Sequence, residues 1–131
     1  MVYECDLDKV WNLPAGRSSY YDSSNGSYCA IGKVSKACGI GVDAYHILDQ
    51  EFEVALQDAT GFDHLAVWGM KYNDCPMITA KTPEDKQQAH INACKLLVQK
   101  CLEAGMITLK ESDLEIVKEL KQYEKELAAN V

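Results

Sequence analysis

"TPEDKQQAHINACKLLVQKCLEAG", residues 82–105, decides the fold. Thr82 can take an orphan backbone N–H of a first helical turn, Pro83 suits the first helical position, and Glu84 and Asp85 complement the positive end of the helix dipole. His90, Cys94, Leu97, Val98 and Cys101 then recur at three- and four-residue spacings, and Gly105 supplies the stop. The pattern predicts one long amphipathic helix.

Working outward, the same periodicity returns. "CAIGKVSKAC", residues 29–38, sets Ala30, Ile31, Val34, Ala37 and Cys38 on one face, with Ser27 as the expected N-cap and Gly39 as the stop. "VDAYHILDQEFEVALQDAT", residues 42–60, reads as a long amphipathic helix with Tyr45, Leu48, Phe52, Ala55, Leu56 and Ala59 along its stripe. A short helix is expected over 62–72, with Leu65, Trp68 and Tyr72 in register, and "NDCPMITAK" after it reads as irregular because Pro76 breaks the helix. "ESDLEIVKELKQYEKELAAN", residues 111–130, opens on Ser112 and Glu115, the two ends of a capping box, and carries a narrow seam of Ile116, Val117, Leu120, Tyr123 and Leu127. At the other end, Val10, Trp11 and Leu13 suggest a short helix or anchored arm that Pro14 stops, and residues 15–28 are loop chemistry. Only "GMITLK" has β character, and it is too short to stand without a partner. The expected fold is all-α: one domain over 1–131, a bundle of five or six helices, with core helices in 29–104 and an amphipathic helix over 112–128 that packs across the bundle or against a second copy.

Composition narrows the function. With 131 residues the chain can bury one core. Its formal net charge of −7, without a Lys/Arg run, disfavours direct docking on nucleic acid, whose affinity comes largely from neutralised phosphates. No apolar run approaches the length of a membrane span, and "MVYECDLDKVW" does not read as a secretion signal, so a cytoplasmic protein is expected, in the host cell's cytoplasm if phage-encoded. Six cysteines, several on helix faces otherwise built of Leu, Ile and Ala, read as reduced core thiols.

Candidate chemistry is sparse. Cys29 stands near the first turn of its helix, where a dipole can stabilise a thiolate. With His90 as base and Asp74 as orienter it gives the raw parts of a thiol enzyme, although His46, His64 and Asn73 are available too and no spacing selects among them. Without a nucleophile's signature, Cys29 reads first as a small residue packing a helix start. No Cys-x-x-Cys, His-x-x-x-His or EF-hand pattern exists, and the loop glycines sit between no strand and helix, so neither a metal nor a cofactor is expected. Tyr20, Tyr21 and Tyr28 lie in a polar loop whose composition suits recognition, because Tyr offers contact area at small entropic cost.

Three segments carry a resemblance. Cys29, Ala30 and Gly32, then Asn73 and Asp74, then Thr82, Glu84 and Asp85 resemble a small uncharacterised helical domain family of bacteria and their phages. Its members have a Cys-Ala-Leu-Gly-Ala-Leu segment, a Trp-Asn-Asp segment and a Thr-x-Glu-Asp helix start. Tyr72 stands here where the family has Trp, and the likeness covers residues 28–104. The resemblance implies a compact helical domain and no particular activity. The function expected is a non-enzymatic, acidic protein-binding module, such as a phage or mobile-element accessory protein that inhibits a host macromolecule; the alternative is a thiol-dependent hydrolase or transferase.

Overall fold

The helix that opens at Thr82 organises everything around it. A computed structural model describes residues 2–17, 20–40 and 49–109. In chain order these form β1 (Tyr3–Cys5), α1 (Leu7–Asn12), α2 (Ala30–Ala37), α3 (Gln50–Thr60), α4 (Leu65–Gly69), a π-helical turn (Met70–Asp74), α5 (Cys75–Thr79), α6 (Pro83–Glu103) and β2 (Ile107–Leu109). No helix among them is long and apolar enough to cross a membrane.

α6 starts and stops for the expected reasons. The Thr82 hydroxyl accepts the Asp85 N–H at 3.1 Å, and Gly105 follows the helix end at φ 68. His90, Cys94, Leu97, Val98 and Cys101 are all buried. They pack against α2, which is enclosed on almost every side: Ala30 through Ser35 are buried, and Lys36 is the one fully exposed residue of the helix. α3 lays Phe52 and Leu56 on the same core, and Tyr3 meets the Phe52 ring edge-on at 5.0 Å between centroids.

Four expectations need correction. The bundle is mostly helical but not all-α, because Tyr3, Glu4 and Cys5 pair in parallel with Ile107, Thr108 and Leu109. "GMITLK" found its partner in the N-terminal arm, a pairing across the whole chain that no local pattern announces. Second, α3 is capped by Asp49, whose carboxylate accepts the Phe52 N–H at 3.1 Å, so among the described residues the helix expected over 42–60 covers Gln50–Thr60. Tyr45, His46 and Leu48, like the seam of 112–128, lie outside the described residues.

Third, Pro76 breaks nothing. Its ring has no N–H and would press on the carbonyl four residues back in a regular helix. Here the preceding turn is widened: the Cys75 N–H reaches Met70 O, five residues back. The wider turn accommodates the ring, and α4, the π turn and α5 form one continuous rod. Ser27 is corrected as well. Its hydroxyl donates to Asn25 Oδ1 at 2.6 Å, and Cys29 holds the N-cap position of α2 instead.

Candidate functional site

The enclosure of α2 has a chemical consequence. Lys33, one turn beyond Cys29, is 1% exposed and therefore lies inside the core with the apolar residues. From α6, His90 and Cys94 face the same interior one turn apart, and the extra residue of the π turn directs Asn73 inward, where it is fully buried. A thiol, an imidazole, an amide and an amine thus meet among apolar neighbours.

The hydrogen bonds fix the direction of this chain. The Asn73 amide nitrogen donates to Gly16 O at 3.1 Å and to Asp74 Oδ1 at 2.8 Å, so its oxygen is the acceptor that faces His90. His90 Nδ1 lies 2.7 Å from that oxygen and must carry the proton. Nε2 is left as an acceptor, and the Cys94 thiol stands 3.6 Å from it. The order is Cys94 S–H to His90, His90 N–H to Asn73, and Asn73 N–H to the backbone of residue 16. Every member is neutral.

Burial enforces that neutrality. It pushes the Cys94 thiol up to about 12, against the pull of Lys33, and the Cys29 thiol up to about 11, against the amides of Gly32 and Ile31. It also pulls His90 down to about 3, helped by the charge of Lys33. Lys33 itself is lowered by the same desolvation, which Cys94 and then Cys29 oppose. An activated thiolate–imidazolium pair needs the opposite shifts.

The three residues of the thiol reading therefore occupy different places. His90 is central, with Cys94 at its Nε2 and Asn73 at its Nδ1. Cys29 is 5% exposed at the α2 cap, close enough to Asp74 for that carboxylate to help raise its thiol, and Asp74 accepts from the Asn73 amide at 2.8 Å. His64 precedes α4 on the surface. Lys33 escaped the sequence reading. Its signal was present, a lone lysine within "AIGKV" whose helix is apolar on several faces, but a lysine is almost never fully buried and a surface position was the natural reading.

The far end of the chain, Gly16 O, belongs to the wall of a surface recess of about 460 Å³ lined by Ala15, Gly16, Arg17, Asp22, Asn25, Ser27 and Met77. The described residues of the loop around it are firmly held. Ala15 and Tyr28 form a parallel bridge, with Gly16 N–H on Tyr28 O at 2.8 Å and Tyr28 N–H on Pro14 O at 2.9 Å. Asp22 accepts from the Ser24 amide and hydroxyl, which holds its carboxyl below the usual range, and Asn25 accepts from the Ser27 amide and hydroxyl. Gly26, at φ 71, closes the turn on Asp22 O.

The tyrosines divide. Tyr20 is 7% exposed and belongs to the core, where burial raises its phenol to about 12. Tyr21 and Tyr28 are half-buried and lie against each other, 4.8 Å between ring centroids. All six cysteines are free thiols, four of them buried, with Cys38 intermediate and Cys75 exposed. Among the described residues no group of three His, Cys, Asp or Glu side chains could hold a metal ion. Comparison with family models, curated proteins and solved structures finds no match.

Proposed function

We propose that the protein is a non-enzymatic binding module: an acidic helical scaffold that presents the loop of residues 15–28 and its recess to a partner protein. One observation carries this reading. The buried chain from Cys94 through His90 and Asn73 ends on Gly16 O, so the core's costliest polar groups hold the recess wall. A loop ordered before binding loses less entropy when it binds. Arg17 and Asp22 bring charge to the rim, and the Tyr21–Tyr28 pair brings aromatic area beside it. The family resemblance suggests the setting, a phage or mobile-element accessory protein that inhibits a host macromolecule.

The test places a photo-crosslinking side chain at Asp22, on the recess, or at Glu103, at the far end of α6, and irradiates the protein in its native host. One defined adduct from position 22, absent from position 103 and suppressed by Arg17→Glu, is the expected result. Equal, diffuse labelling from both positions would remove the recess from the function.

The thiol alternative has the alignment of Cys94, His90 and Asn73 in its favour. Proton placement weighs against it, since burial holds the Cys29 and Cys94 thiols protonated. Native protein treated with iodoacetamide at pH 7 should leave Cys29 and Cys94 unlabelled. Fast, selective labelling of either would restore the enzyme reading with Cys29 or Cys94 as nucleophile.

A further inference from the structure

Two opposite charges line the recess without neutralising each other. Arg17 and Asp22 both belong to its wall, yet no ion pair joins them, and among the described residues nothing engages the Arg17 guanidinium. Asp22 is committed at one oxygen only, since the Ser24 amide and hydroxyl both donate to its Oδ1. Asn25 adds a direction. The Ser27 amide and hydroxyl donate to its Oδ1 at 3.0 and 2.6 Å, so its amide nitrogen is the end left over, with two N–H groups to give. Gly16 O is already taken by the Asn73 amide. The wall therefore offers two uncommitted donors, the guanidinium and the Asn25 amide, and one charged acceptor, Asp22 Oδ2.

We infer that the recess takes a carboxylate side chain of the partner protein, an aspartate or glutamate, with Arg17 and the Asn25 amide nitrogen on the carboxylate and Asp22 on a backbone N–H of the same segment. The inference rests on the recess being the partner's docking site. A guanidinium presents paired donors in a fixed plane, the geometry a carboxylate accepts with both oxygens. An acidic residue in a peptide carries an anion and an N–H donor a few side-chain bonds apart, which answers both charges of the wall at once. A basic side chain would answer Asp22 but set like charge against Arg17, and a neutral one would leave the guanidinium without a counter-charge. Ala15 and Met77 give the methylene stem an apolar contact. The whole chain is acidic, so recognition here is by contact and not by long-range attraction.

The test is a nuclear magnetic resonance titration of the full-length protein at pH 7 with N-acetylglutamate α-methylamide. The expected result is a saturable shift of the Arg17 Nε–H and the Asn25 side-chain amide. N-acetylglutamine α-methylamide should bind about tenfold more weakly, because a charge-assisted pair is about twice as strong as a neutral one. Arg17→Gln and Asn25→Asp should each abolish the response; the second keeps an oxygen for Ser27 and removes only the donor. Asp22→Asn, which keeps Oδ1 for Ser24, should retain it. Equal shifts from the acid and amide probes, or none from either, overturn the inference. A response to N-acetyllysine α-methylamide that Asp22→Asn abolishes overturns it in favour of a basic ligand, and a stronger response to N-acetylglycine in favour of a chain end. Crosslinking tells the two readings apart. One adduct from position 22 with a silent titration keeps the docking site and removes the carboxylate, whereas diffuse crosslinking removes the docking site whatever the probes do.

Discussion

Asn73 can be tested at the smallest scale because one side chain serves three neighbours. Replacing it by Ala leaves the His90 Nδ1–H without its acceptor and takes the donor away from Gly16 O at the recess wall. An unsatisfied buried donor costs about 1–3 kcal/mol, and the lost bond to Gly16 adds a smaller amount. Urea unfolding of Asn73→Ala should show a loss of about 2–3 kcal/mol, and amide exchange in residues 15–28 should quicken more than in α6. If exchange in the loop is unchanged, the polar chain does not hold the recess. Sequence could nominate Asn73 and His90 as polar residues on helical segments, but it could not pair them. Their meeting depends on one extra residue in a turn, and Asp74, one position away, would have been the acceptor in an unwidened helix.

At the scale of elements, Gly32 shows how tightly α2 is enclosed. A Cβ there would fall on the Tyr20 carbonyl oxygen and lie 2.8 Å from its carbonyl carbon. Backbone cannot swing aside as a side chain can, so Gly32→Ala should cost several kcal/mol despite Ala's better helix propensity, with a chemical-denaturation midpoint that falls well below that of the parent. A melt unchanged or raised would mean that Tyr20 does not cross the helix so closely. Thr82→Ala is the milder companion, about 1 kcal/mol from the lost cap. These elements differ in how readable they were. α6 was legible because its cap, its stripe and its stop are all local. The rod at 65–79 was not, since Pro76 is a breaker in every regular turn and only a widened one accepts it. β1 and β2 were hidden for a third reason: each is three residues long, and their partners lie about a hundred positions apart in sequence.

For the whole molecule, the buried titratable groups confine stability to a window of pH. His90 has its pKa lowered from 6.5 to about 3 on folding, so between those values the unfolded chain binds the extra proton. Stability therefore falls as pH drops below about 6.5, by about 2 kcal/mol at pH 5, because one proton taken up only by the unfolded chain costs the fold about 1.4 kcal/mol for every step of one in pH. The thiols act at the other end. Cys29, Cys94 and Cys101 are raised from 9.0 to about 11, 12 and 12, so above pH 9 the unfolded chain ionises first and stability falls as pH rises. Lys33, lowered on folding, opposes that alkaline loss, since deprotonation removes its burial penalty. Carboxylate titration complicates the acid limb, and His90→Gln separates the two. Glutamine can still donate to Asn73 but does not titrate, so the variant should be less stable at pH 7.5 and lose less on going to pH 5. Parallel stability curves for the two proteins would show that His90 pairs with a charge on protonation, and that the buried chain from Cys94 to Gly16 is not a neutral one.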